Sequence, residues 1–157
     1  MRLFEVDAWL FLLDLRVKTV KSEVFSRIGH GSALAPSSCV TPDELKARTK
    51  LFAVETIKFT RTLATDPVTA HITKQLVKSG TSVGANYRSS CRAKSKADFV
   101  SKMATVEEEA DEVGYWLELL VEIDAASQKA ISKLLDEAEQ IVRITVASIK
   151  TARGRSH

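Results

Sequence analysis

The stretch "DFVSKMATVEEEADEVGYWLELL" (98–120) decides the fold. Its apolar residues Phe99, Met103, Val106, Ala110, Val113, Leu117 and Leu120 recur at alternating steps of four and three. That is a heptad seam sustained over three repeats, the mark of an amphipathic helix with one continuous apolar stripe. A strand would show its apolar residues at every second position, and this stretch does not. At 1.5 Å per residue, a helix of about 27 residues is roughly 40 Å long. So long a stripe must be buried against other helices of similar length.

The flanking sequence supplies them. Upstream, Ser95 with Asp98 three positions on is a capping-box candidate for the start of this helix. Downstream, "IDAA" (123–126) reads as a short turn, and Ser127 as the N-cap of a following helix that carries Ile131, Leu134, Leu135, Ala138, Ile141, Val142 and Ile149. Before the seam, "TDP" (65–67) offers Asp66 as a cap and Pro67 as a first helical residue. Ile72, Leu76, Val83 and then Tyr87 or Asn86 mark an inward stripe. "TPDE" (41–44) opens the earliest helix: Thr41 caps, Pro42 needs no amide donor, and Glu44 can reach back to the cap. Leu45, Phe52, Phe59 and Leu63 follow at helical spacing. The expectation is an all-α, antiparallel up-down four-helix bundle, with helices over about 42–64, 67–92, 96–122 and 127–152. A basic tail, "RGRSH" (153–157), closes the chain.

Residues 1–40 differ, and the chain divides into this N-terminal extension and a bundle over 41–157. "VDAWLFLLDL" (6–15) is apolar but interrupted by Asp7 and Asp14, and it is far short of the roughly 20 residues a membrane helix needs. Acidic residues precede it, where a secretory signal carries basic ones. "GHGSALAPSS" (29–38) has linker composition. The segment reads either as a poorly ordered, loosely attached extension or as a short amphipathic helix docked on the bundle.

"SGTSVGANYR" (79–88) invites a different reading, as a phosphate-binding loop. A P-loop needs G-x-x-x-x-G-K-[ST], whereas Gly80 and Gly84 lie four apart with alanine next. A dinucleotide fingerprint would follow a strand, and the preceding "VTAHITKQLVK" (68–78) is helical in period. On a helix, Ser79, Gly80, Val83, Gly84 and Tyr87 share one side, where small residues let a neighbour approach closely. Each glycine costs about 1 kcal/mol of helix propensity, which close packing must offset. Asn86 lies near this face; the pattern leaves open whether it turns inward or to solvent.

Of 157 residues, 45% are hydrophobic and 27% charged, as in ordinary soluble domains. Three prolines and six glycines suit long uninterrupted elements. Cys39 and Cys91 form no C-x-x-C pair and define no disulfide framework, which points to a reducing, cytoplasmic setting. His30, His71 and His157 are scattered, and the Glu-x-x-His pairs of carboxylate metal bundles do not occur. Cys91 sits among Arg88, Arg92 and Lys94, but no base accompanies it. The expectation is therefore no cofactor, no metal, no small-molecule substrate and no catalytic residues.

The net charge is only +3, so any electrostatic signal must come from clustering. Lys74, Lys78, Arg88, Arg92, Lys94, Lys96 and Lys102 are basic, with Asp98 the one acid among them. They are the candidate nucleic-acid-binding residues. Glu107, Glu108, Glu109, Asp111 and Glu112 reverse the sign within the third helix. Three readings stand: a basic end that grips phosphates, a solvated face, or basic and acidic patches that pair between subunits. Tyr87, Tyr115 and Trp116 fall in or beside core stripes, so no base-stacking platform emerges.

Three motifs together carry a resemblance. They are the small-residue patch Ser82 to Asn86, the basic turn "RAKSKADF" from Arg92 to Phe99, and "EVGYWLELL" from Glu112 to Leu120. With "VASIKTAR" (146–153), they make residues 43–153 resemble the bacterial four-helix-bundle family encoded in 23S ribosomal RNA intervening sequences. The resemblance implies an antiparallel bundle, commonly a homopentamer, without catalytic residues. It also implies kinship with the accessory protein of diversity-generating retroelements, a basic barrel that binds a reverse transcriptase and nucleic acid. The bundle portion of this chain is nearly neutral, which departs from that branch. The function expected is a non-enzymatic, self-associating scaffold that contacts RNA or a reverse transcriptase-like partner through the basic turn, and no membrane. The alternative is a protein–protein adaptor whose charge patches serve assembly.

Overall fold

A computed structural model describes residues 40–154 of the chain. Four helices follow one another: α1 (Pro42–Thr60), α2 (Pro67–Ser90), α3 (Lys96–Glu122) and α4 (Gln128–Arg153). Each packs on the next across a short turn, giving the up-down bundle that the periodicity predicts. Residues 1–39, which make up nearly all of the expected extension, lie outside the described residues.

The helix starts match the cap chemistry. Thr41 Oγ1 accepts from the Glu44 amide at 3.2 Å, and Glu44 Oε2 accepts from the Thr41 amide at 2.7 Å, which closes the capping box. Asp66 Oδ1 accepts from the amides of Val68 and Thr69. Ser127 Oγ accepts from the Ala130 amide. At α3 the reading needs one correction. Ser95 caps Asp98 as expected, but the Asp98 carboxylate accepts from the Lys94 amide, one residue further back.

The ends need more. α1 stops at Thr60 rather than 64, because the Arg61 amide turns back onto the Phe59 carbonyl. Phe59 and Leu63 still pack against the core, since a turn can satisfy the same four-residue spacing. α2 stops at Ser90 rather than 92, where successive tight turns bond Arg92 to Ser89 and Ala93 to Ser90. α4 runs from 128 to 153, one residue later than expected at each end. Between α3 and α4, Asp124 takes a left-handed conformation at φ 58°. Its amide bonds to Val121 O at 3.0 Å, and the Ala125 amide to Leu120 O at 2.9 Å. This is the Schellman closure of a helix C-terminus, with aspartate where glycine is usual.

The α3 seam is the centre of the core. Met103, Val106, Ala110, Val113, Leu117 and Leu120 are buried, along with Leu76 and Val83 of α2, Phe52 of α1, and Ile131 and Ile141 of α4. Ser79, Gly80, Val83, Gly84 and Tyr87 form one buried face of α2, as expected of a close-packing surface. Two buried threonines of α1 oppose the glycines. A Cβ added at Gly80 would lie 2.8 Å from Thr56 Cγ2, and one at Gly84 would lie 3.3 Å from the Thr49 carbonyl oxygen. Both threonine hydroxyls bond back to the i−4 carbonyl, so neither is stranded in the seam. Asn86 is half-buried and donates to Ser82 O at 3.0 Å.

The α1–α4 seam is the loosest. An open groove of about 580 Å³ separates the two helices, lined by Leu51, Phe59, Lys133 and Leu134 among others. Arg48 bridges it. Its Nε lies 2.5 Å from Glu137 Oε1, and its Nη2 lies 2.8 Å from Glu137 Oε2 and 2.7 Å from Gln140 Oε1.

Candidate nucleic-acid interface

The up-down order puts the N-termini of α1 and α3 and the C-termini of α2 and α4 at one pole. Lys96 at the start of α3 ties two of these ends together: its Nζ donates to the carbonyl oxygen of Arg153 at the end of α4, 3.4 Å away. Four of the predicted residues belong to this pole. Arg88 ends α2, Arg92 and Lys94 form the turn, and Lys96 opens α3. Arg88, Arg92 and Lys94 are exposed and form no ion pair among the described residues.

The fold adds basic residues that the linear reading misses. Lys150 and Arg153 in the last turn of α4 join the pole from more than fifty positions away. Lys46 on the first turns of α1 joins it too, close enough to feel the charge of Arg88. Its ammonium is held above the usual lysine range, chiefly by a hydrogen bond from Lys46 to Asp43, with their charged atoms 2.9 Å apart. The sequence marks Arg153 as the start of a basic tail and Lys150 as part of the VASIKTAR stretch, but it links neither of them, nor Lys46, to the turn. Only the topology brings them in.

The other predicted residues stand apart. Lys74 and Lys78 are exposed on the shaft of α2, and Lys74 is about 21 Å from Arg88 along the axis at 1.5 Å per residue. Lys102 is half-buried and bound to Asp98. The Asp98 carboxyl is held below the usual carboxylate range, first by Lys102 and then by the Lys94 amide. The acids of the pole are thus engaged locally: Asp43 with Lys46, Glu44 with the Thr41 amide, and Asp98 with Lys102 and Lys94. The field left over at the pole is positive. The opposite end mixes signs, with Arg61 and Lys129 among Asp66, Glu122 and Asp124.

The acidic run of α3 divides. Glu108 and Asp111 are exposed, whereas Glu112 accepts from the Trp116 indole N–H at 2.9 Å. Glu109 turns Oε2 into a buried position without a hydrogen-bond partner. Tyr115 departs from the core reading: it is 56% exposed, two residues from both Val113 and Leu117 and so turned away from the seam they form. Its ring meets Trp116 edge-on, with centroids 4.8 Å apart. Tyr87 is buried, and that burial raises its phenol far above the ordinary range, with Cys91 beside it. Among the described residues no group of three or more His, Cys, Asp or Glu is arranged to hold a metal ion, and no helix is long and apolar enough to cross a membrane.

Comparison with known proteins bears on this geometry. Residues 44–147 match the family model described as 23S rRNA-intervening sequence protein. The fold matches a crystal structure of a protein with unknown function from the S23 ribosomal protein family of Bacteroides thetaiotaomicron. The two are 30% identical, the TM-score is 0.65, and the match covers 69% of this chain and 97% of that one. No curated protein matches the chain.

Proposed function

Because this chain belongs to the 23S rRNA-intervening sequence protein family, we propose that it is a non-enzymatic, self-associating scaffold of the cytoplasm whose basic pole contacts RNA or an RNA-handling partner, such as a reverse transcriptase-like protein. The observation that carries this reading is the Lys96–Arg153 contact, which sets the basic turn after α2 beside the basic end of α4. Lysine and arginine that replace the counterions of phosphates give affinity without sequence preference. A pole with no exposed aromatic among the described residues suits backbone contact better than base stacking. Self-association, as a homopentamer by resemblance, would multiply weak contacts of this kind by presenting several poles at once.

The test is RNA binding at low salt by the wild type and by a variant with Arg88, Arg92, Lys94 and Lys96 changed to Glu. Binding by the wild type that the variant loses supports the reading. No binding by either, or equal binding by both, overturns it. If the same substitutions instead change subunit number by light scattering and leave RNA affinity untouched, the patches serve assembly and the protein is an adaptor.

A further inference from the structure

A second surface lies away from the pole. α3 and α4 leave a groove of about 500 Å³ between them, lined by Asp111, Gly114, Tyr115, Glu118, Leu135 and Arg143 among others. Gly114 forms part of its floor, and among the described residues it is the one helix glycine that internal packing does not demand. A Cβ at Gly114 would meet only Leu135 Cδ1, at an ordinary 3.6 Å, whereas Gly80 and Gly84 face close neighbours.

Beside the floor stands Tyr115, 56% exposed and held edge-on by Trp116, which Glu112 fixes in turn. Asp111 and Glu118 lie one helical turn to either side of the tyrosine on α3, both exposed and without an ion pair among the described residues. Glu139 also lines the groove, but it pairs with Arg143 at 3.1 Å. The field of the groove is therefore negative. Phosphates are repelled there, and a guanidinium is favoured three ways: by the tyrosine face, by two carboxylates and by the open floor.

We propose that the groove around Tyr115 docks an arginine-bearing segment of a partner protein. Tyr115 lies 19 residues from Lys96, roughly 28 Å along α3, so this surface works independently of the RNA-contacting pole.

The probe is a fluorescein-labelled synthetic peptide of alternating arginine and alanine, followed by anisotropy, with the glutamate–alanine peptide as control. The arginine peptide should bind, and the glutamate peptide should not. Tyr115→Ala, and separately Asp111→Asn with Glu118→Gln, should weaken binding by about tenfold. The second variant changes only exposed side chains and should leave the fold and the RNA affinity of the pole unchanged. Failure of the arginine peptide to bind at low salt overturns the proposal, as does binding that neither variant weakens. A change in subunit number by light scattering when the Asp111 and Glu118 carboxylates are neutralised also overturns it, since the groove would then be an interface between copies of this chain.

Discussion

The Nζ of Lys96 donates to the carbonyl oxygen of Arg153, 3.4 Å away and 57 positions along the chain. The bond joins the start of α3 to the end of α4. It also satisfies one of the orphan carbonyls at a helix C-terminus with a positive charge, the favourable sign for that end of the dipole. It sets the basic turn after α2 beside the basic end of α4.

The two kinds of helix glycine should behave oppositely. Gly80→Ala forces a Cβ against Thr56 and should destabilise the bundle by about 1–3 kcal/mol in urea unfolding. Thr56→Ser removes the closest atom, Cγ2, and should restore part of that loss. Gly114→Ala meets no obstacle and should stabilise by up to about 1 kcal/mol through helix propensity alone. Equal effects at the two sites would contradict the packing account.

Arg48 and Glu137 close the loosest seam of the bundle with two parallel hydrogen bonds, and both side chains are roughly one-quarter exposed. A double-mutant cycle with Arg48→Met and Glu137→Gln should give a coupling of about 1 kcal/mol. High salt should weaken it only in part, because the pair is half-buried. Additive effects would mean that apolar packing alone holds α1 to α4.

Asp98 links the turn to α3 through Lys102 and the Lys94 amide. Its folded pKa is depressed, so the stabilisation is present above the ordinary carboxylate range and is lost as pH falls through the folded value. Asp98→Asn should therefore lower the melting temperature at neutral pH, and the gap from wild type should close on acidification. A gap that stays constant down to the acid transition would show that the carboxylate charge is irrelevant there.

Asp124 adopts the left-handed conformation that glycine takes without strain. Asp124→Gly should stabilise the protein by up to about 1 kcal/mol in thermal unfolding, and Asp124→Val should destabilise it. Stabilisation by valine would overturn the assignment of this turn.

How much of this was legible in the sequence depends on range. The α3 seam, the helix order and the start signals Thr41, Asp66, Ser95 and Ser127 follow from local periodicity and local cap chemistry, and both act within a few residues. The ends of α1 and α2 were read too far, because Leu63 and Ala93 keep facing the core after the helix has turned. The strain at Asp124 gave no signal, since the residue that usually marks it is glycine. Arg48 and Glu137 lie 89 positions apart, and nothing in either neighbourhood names the other. For the candidate site, the turn residues Arg88, Arg92, Lys94 and Lys96 were visible as a run. Lys46, Lys150 and Arg153 needed the topology, and the gap between Lys74 and the pole needed the helix rise.

The central claim is that the pole, and not the shaft of α2, meets RNA. The measurement that tests it most directly is RNA affinity against salt concentration for three proteins: the wild type, Arg92→Glu with Lys150→Glu, and Lys74→Glu with Lys78→Glu. Arg92 and Lys150 are remote in sequence and share only the pole. Their loss should weaken binding and reduce the slope of log affinity on log salt by about 1.4 on single-stranded RNA, at about 0.7 per phosphate contact. The shaft variant should keep the wild-type slope. Loss of binding in the shaft variant with the pole variant unaffected, or no salt-dependent binding by the wild type, would contradict the account.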